Sequence, residues 1–208
     1  MYKKQMTVQK LVCLLSIIAS VVLFVYTLGL MTDIYDGLKS PMTESRVEEA
    51  RKALYPEVAK GTDFIGLKIY DEMDAFNKEL LTVSIAAILL SVLLYVTNTA
   101  SRRKYYIANY LAVALNVVFH VWAAIWAHGK VAAFKAQYLA LDHAAVEWVY
   151  AQKIKAEYVQ STFWFDAHYF VFALTLLASV LLILNVIWKI VVMKEEKRLI
   201  AAGKERLA

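Results

Sequence analysis

The residues with the most chemistry to offer lie inside an apolar stretch. Asn109, Asn116 and His120 recur at spacings of seven and four within Ile107–Ala127, a run with no charged residue. Those spacings put all three on one face of a helix. Amide and imidazole groups in such a setting have two uses. They can line a polar path or ligand site, or they can hydrogen-bond between helices and fix their packing. Asn185, in the apolar run Tyr169–Val192, is the candidate fourth member of this polar intramembrane face. No Asp or Glu lies deep in any apolar run to carry a proton or a cation, so packing is the simpler use.

The histidines offer metal chemistry only if about four ligands converge. His120, His128, His143 and His168 are the full set, with Asp166 two residues before His168. No His-x-x-x-His, His-Glu-x-x-His or cysteine partner accompanies them, and no metal site is expected. Asp166 reads instead as an N-cap for the fourth apolar run, or as a partner of His168 or His128. A Gly-rich phosphate loop, a nucleophile elbow and a carboxylate pair in a recognisable cleft are all missing. The expectation is no catalytic residue, no cofactor and no enzyme. Cys13 is the only cysteine, which forbids an intramolecular disulfide. That excludes quinone-coupled disulfide enzymes and the four-span families whose outer loops are stapled by cysteines. Cys13 itself reads as an inert small hydrophobe.

The elements that must position these groups are four apolar runs, Leu11–Met31, Leu80–Val96, Ile107–Ala127 and Tyr169–Val192. Only the last holds a charge, Lys189 near its end. A hydrocarbon core of roughly 30 Å needs about 20 apolar residues as helix. Inside lipid the backbone must satisfy its own hydrogen bonds, which makes the runs helices. With 208 residues, 61% hydrophobic, six Gly and two Pro, the chain leaves little room for sheet turns or linkers. The expected fold is an all-α membrane protein: four transmembrane helices in a bundle, a small helical extracellular cap and both termini cytoplasmic. One membrane domain covers 1–208, with spans about 11–31, 80–97, 106–127 and 167–192, outer segments 32–79 and 128–166, and a tail 194–208. The first run follows a positive flank but exceeds the 7–15 residues of a signal core, and no small-x-small site follows it. It reads as an uncleaved signal anchor.

Charge sets the expected orientation. The two ends of the chain and the 98–106 connection carry twelve Lys and Arg against three Glu, a net of +9; the remaining residues carry −4. The positive-inside rule puts the basic side in the cytoplasm of a plasma-membrane protein. Arg102, Arg103 and Lys104 in the short loop, with Lys197 and Arg198 in the tail, are the expected cytoplasmic basic contacts. The tail suits anionic lipid headgroups or a cytosolic subunit. Tyr105, Tyr106 and Tyr110 form one expected aromatic belt, and Trp122, Trp126, Trp164, Phe165 and Tyr169 the other. No nucleic-acid signature accompanies the basic residues. The implied partners are the lipid bilayer and other membrane protein subunits.

Each outer segment carries helix signals. Ser45 followed by Glu48 fits a capping box, with Val47, Ala50, Leu54 and Val58 at helical spacing and Pro56 and Gly61 bounding the run. A further start near Asp71 has no breaker before the second span. In the second segment, Val131, Phe134, Tyr138, Leu141, Ala145 and Trp148 alternate spacings of three and four, a helix with one apolar seam. A straight helix over 130–160 would run roughly 45 Å, further than the residues left before the fourth span can return, so a break is expected near Asp142–His143. Phe134, Tyr138, Leu141 and Trp148 form the expected packing or partner seam, covered by Val47, Leu54, Phe64 and Tyr70 or by a partner.

Two segments, Thr97-Asn-Thr-Ala-Ser-Arg-Arg-Lys-Tyr-Tyr-Ile-Ala-Asn-Tyr110 and Ser161-Thr-Phe-Trp-Phe-Asp-Ala-His-Tyr169, cover about a tenth of the chain. In them the chain resembles small four-span membrane proteins of Gram-positive bacteria associated with carbohydrate ABC importers. The resemblance implies a bacterial plasma membrane and a role beside a transporter; it brings no site residues. The leading expectation is a non-enzymatic accessory or scaffold subunit of a larger membrane complex, such as a solute importer. The alternative is a homo-oligomeric channel or small-molecule transporter lined by the polar face of the third span.

Overall fold

The structure, a computed structural model, describes residues 2–39, 44–60, 62, 67–97, 107–141 and 161–203. Among these residues the chain is helical, with no strand: α1 (Tyr2–Lys39), α2 (Glu44–Leu54), α3 (Leu67–Thr97), α4 (Ile107–Leu139) and α5 (Phe163–Ala201). α1, α3, α4 and α5 are each long and apolar enough to cross a membrane.

Every long helix outruns its apolar run. α1 has 38 residues and α5 has 39, roughly 57 Å of helix at 1.5 Å per residue. A hydrocarbon core takes only about 30 Å of that. α4 passes through Gly129 without a break, so Val131, Phe134 and Tyr138 belong to the helix of the third apolar run. A lone glycine costs about 1 kcal/mol in a helix, too little to end one that is packed on both sides of it. α4 stops at Leu139, where Ala140 and Leu141 turn back by hydrogen bonds to Gln137 and Tyr138 carbonyls. The expected break near Asp142–His143 lies outside the described residues.

α2 forms where the periodicity placed a helix, but its start differs. The helix begins at Glu44, so Ser45 lies within its first turn. The two Glu48 oxygens accept from Arg51 Nε and Nη2 at 2.9 and 2.8 Å. Arg51 Nη1 also donates to the Val58 carbonyl at 2.6 Å, tying the end of α2 to the turn after it.

Burial inverts the pattern of a water-soluble helix. On α1 one buried row runs Gln5, Gln9, Val12, Ser16, Ala19, Leu23, Tyr26 and Leu30, alternating four and three, with Met6, Cys13, Ser20 and Thr27 buried beside it. The exposed positions are Leu11, Leu14, Ile18, Val21, Val25 and Leu28. The small and polar residues face protein together with a few large ones, Leu23, Tyr26 and Leu30, while many large aliphatics face outward. Lipid is as apolar as leucine and does not push aliphatics inward; close helix approach and polar contacts select the interior instead. Ser84, Ala87, Ser91 and Leu94 on α3 repeat this pattern, as do Thr175, Ser179 and Leu182 on α5.

The chain forms two compact units. The first comprises Met1–Phe24, Thr82–Trp126 and Phe170–Ala208; the second comprises Val25–Leu81 and Ala127–Tyr169. In the first, Val12 and Cys13 of α1 pack with Leu94 of α3, Ala112 and Val113 of α4 and Leu182 of α5. Met6 packs with Val192 and Trp188. In the second, Phe76 meets Phe134 edge-on with centroids 5.4 Å apart, and Tyr138 meets Phe165 at 5.3 Å. There Gly29 lies against the Trp164 indole, where a Cβ would overlap the ring.

Candidate functional site

In the first unit the polar side chains of three helices converge. Asn116 Nδ2 donates to Ser91 Oγ at 2.7 Å and to the Ala87 carbonyl at 3.1 Å, while its Oδ1 accepts from Ser16 Oγ at 3.1 Å. Ser16 and Ser91 hydroxyls lie 2.8 Å apart. Ser16 has given its only proton to Asn116, so Ser91 is the donor between them. The result is a closed ring of hydrogen bonds joining α1, α3 and α4. Ser16, Ser91 and Asn116 are all fully buried.

His120 extends this ring by one step. Ser20 Oγ donates to the Ser16 carbonyl at 2.8 Å, and His120 Nε2 lies 2.9 Å from the same oxygen. With the serine proton committed, His120 donates from Nε2, and its tautomer follows from that donor count. Its Nδ1 is buried with no hydrogen-bond partner. The distance suits a nucleophile and its base, but the proton points the wrong way. A base must receive the serine proton and needs an orienting group on its other nitrogen. The arrangement is suited to holding helices together: a polar group left unpaired in lipid is costly, and each member here pairs across a helix boundary.

The remaining members of the expected polar face are placed elsewhere. Half-buried Asn109 lies 3.3 Å from Thr97 Oγ1, a weak contact between the end of α3 and the start of α4, because the threonine proton has a nearer acceptor in the Leu93 carbonyl at 2.7 Å. Asn185 is buried and accepts from Gln5 Nε2 at 3.2 Å; the same amide donates to Gln9 Oε1 at 2.9 Å. Lys189 and Glu196 are also buried on α5. One predicted face thus resolves into three separate hydrogen-bonded groups. Ser16, Ser20, Ser91, Gln5 and Gln9 were missed as site residues. Their signal was available: hydroxyls and amides at spacings of four and seven within otherwise aliphatic helices.

The second unit holds its own polar group. His128 Nδ1 and His168 Nε2 lie 3.0 Å apart, and His168 Nδ1 donates to the Phe165 carbonyl. Asp166 accepts from Lys135 Nζ at 2.6 Å and from Thr162 Oγ1 at 2.9 Å. The expectation that Asp166 caps the fourth helix is corrected by its place in the first turn, after Phe163. Thr162 supplies the first carbonyl of the helix, accepting from Asp166 N, and Ser161 Oγ accepts from Phe163 N. Asp166 pairs with Lys135 and also acts electrostatically on His168, the histidine partner expected from sequence. Also here, Asn77 Nδ2 donates to the Thr27 carbonyl at 2.9 Å. Among the described residues, no group of three or more His, Cys, Asp and Glu converges as metal ligands would.

Of the outer seam, Phe134 and Tyr138 are buried and Leu141 is half-buried; Trp148 lies outside the described residues. Their aromatic covers are Phe76 and Phe165. Of the covering residues expected from sequence, Leu54 is half-buried on α2. Lys197 and Arg198 are exposed on α5, whereas Arg102, Arg103 and Lys104 lie outside the described residues. Outside the long helices, the Arg51 guanidinium lowers the Glu48 carboxyl to about 2 through their hydrogen bonds.

Compared with known proteins, the chain matches no family model, no curated protein and no solved structure.

Proposed function

We propose that this chain is a non-enzymatic accessory or scaffold subunit of a larger membrane complex, one that serves a bacterial solute importer. The observation that carries the reading is the direction of the Asn116/His120 face. Both residues are fully buried and bonded to Ser16, Ser91 and Ser20, so the face holds helices together. A homo-oligomeric channel lined by that face would need it to contact water. The outward surfaces support the same reading. α3 buries only 28% of its apolar window and presents Leu89, Leu93 and Val96 outward. That leaves a broad aliphatic face for lipid or a second membrane subunit. Lys197 and Arg198 on α5 offer a basic surface to anionic headgroups or a cytosolic subunit.

The proposed orientation puts both ends of the chain in the cytoplasm, with the α2 segment and the C-terminal end of α4 outside. The charge asymmetry of the sequence supports it. A cysteine at exposed Lys60 should be labelled from outside intact cells by an impermeant maleimide; labelling only after lysis overturns the orientation. The subunit reading is tested by purification in mild detergent. The chain should emerge with stoichiometric membrane partners. Repeated recovery as a lone monomer, with no partner lost on solubilisation, refutes it. Flux through the purified chain in liposomes, abolished by Asn116→Leu, would establish the channel instead.

A further inference from the structure

Between α4 and α5 of the first unit runs an apolar groove of about 250 Å³. Val113, Ala114 and Val117 form its α4 wall, and Ile183, Val186 and Ile187 its α5 wall. Ala114, Ile183 and Ile187 are exposed, and both helices are apolar enough to cross a membrane, so the groove opens toward lipid. Its volume falls below the roughly 300–1,000 Å³ of pockets that hold drug-sized molecules. It has room for a length of one hydrocarbon chain.

α5 carries a second, independent observation. Its apolar run ends at Val192, and Lys194, Lys197 and Arg198 follow, all exposed. The helix continues to Ala201, so its period relates these bases to the groove. At about 100° per residue, Lys194 and Arg198 fall within about 20° of Ile187. On the same count Ile183, Val186 and Lys197 lie about 40°, 100° and 80° to one side of it. Glu195 lies about 80° to the other side, and Glu196 about 180° away, where it is buried. The three bases continue the groove face of α5, and both acids leave it. The segments that lead into α4 and follow α5, 98–106 and 204–208, lie outside the described residues; their sequence adds Arg102, Arg103, Lys104, Lys204 and Arg206 against Glu205.

The lengths agree with one leaflet. Lys194 stands about 10 Å beyond Ile187 and about 16 Å beyond Ile183 along the axis. Half of a roughly 30 Å hydrocarbon core is about 15 Å. A phosphate beside Lys194 and Arg198 thus lays a chain of ordinary leaflet depth along Ile187 and Ile183. Arginine takes a phosphate with two parallel hydrogen bonds, and lysine holds it as a point charge.

We propose that this face of α4 and α5 is a site for one anionic glycerophospholipid: one acyl chain lies in the groove, and the phosphate sits against Lys194 and Arg198. The site rests on the membrane-crossing helices and the basic surface of α5, not on the subunit reading above. A helix of a second copy fits less well. Close helix approach needs a row of small residues, and Ala114 is the one small residue among the lining.

Native mass spectrometry of the full-length protein tests the site, with equal amounts of phosphatidylglycerol and phosphatidylcholine added in mild detergent. The parent should retain one phosphatidylglycerol in preference to phosphatidylcholine. Near a membrane surface each base is worth about fivefold in attraction to anionic lipid. Lys194→Gln combined with Arg198→Gln should therefore cut the preference roughly tenfold or more. Ala114→Phe fills the groove and should lose the retained lipid with both bases in place. Ile183→Trp fills it from the other wall and should do the same, and circular dichroism checks that each variant keeps its helix content. Leu89→Phe on the outward face of α3 should retain lipid as the parent does. No preference for phosphatidylglycerol in the parent overturns the site. Parent-like retention in both folded groove variants overturns it too, leaving headgroup attraction alone, and so does equal loss in Leu89→Phe. A dimer that excludes lipid and is broken by Ala114→Phe also overturns it, by giving the groove to a second copy.

Discussion

Replacing Asn116 by Ala is the most direct test of what the buried ring does. The side chain makes three hydrogen bonds, to Ser91, to the Ala87 carbonyl and from Ser16. Side-chain hydrogen bonds between membrane helices average about 0.6 kcal/mol each, because the separated helices find other partners. Three of them give about 2 kcal/mol, roughly a 30-fold change in the folding equilibrium. Ser16 and Ser91 can recover part of their loss by turning to carbonyls one turn back in their own helices. The control is Asn109→Ala. Asn109 is half-buried and makes one weak contact, 3.3 Å to a Thr97 hydroxyl whose proton has a nearer acceptor, so its loss should cost about 0.6 kcal/mol or less. Reversible unfolding in mixed micelles, titrated with a denaturing detergent and followed by helix circular dichroism, measures both variants. Equal costs for the two, within about 0.5 kcal/mol, would refute the claim that the ring of three helices organises the first unit.

Two further outcomes follow from particular contacts. A Cβ at Gly29 would overlap the Trp164 indole, whereas nothing lies within 4 Å of one at Gly129. Gly29→Ala should therefore cost about 1–3 kcal/mol through overpacking, and Gly129→Ala should stabilise α4 by up to about 1 kcal/mol, both read from the same titration. The third outcome concerns pH. Arg51 holds Glu48 to about 2, below the usual carboxylate range. A depressed value means the clasp helps α2 at all pH values above the ordinary carboxylate range, and that help is lost as pH falls through about 2. Carboxyl NMR should place the Glu48 midpoint there, and Arg51→Gln should return it toward about 4.3. An unchanged midpoint in the variant would show that Arg51 is not the cause.

The long helices were legible because lipid leaves the backbone few choices. The lengths of the apolar runs placed α1, α3, α4 and α5, since an unpaired amide in hydrocarbon costs more than any side-chain preference. Their ends were harder to read. The third apolar run ends at Ala127 but its helix does not, because packing of Ala127, Val131 and Phe134 on either side outweighs the cost of Gly129. The start of α2 at Glu44 puts Ser45 inside the first turn, where the sequence pattern had placed a cap, and Glu48 takes two charge-assisted bonds from Arg51, three residues on.

The sequence by itself determined the helical class, the four apolar helices and the face of α4 that carries Asn109, Asn116 and His120. Those follow from helix period and from the solvent, and neither depends on what a neighbouring helix presents. Only the tertiary structure decided which groups meet. Residues seven apart share a face but stand about 10 Å apart along the axis, where different neighbours wait. Asn116 therefore finds Ser16 and Ser91, while Asn109 finds Thr97. The pairing of His128 with His168 and of Lys135 with Asp166 was invisible for the same reason. It depends on the relative axial position of two helices separated by the residues between Leu139 and Phe163, and a hydrogen bond forms only when that position is right to within a fraction of an ångström.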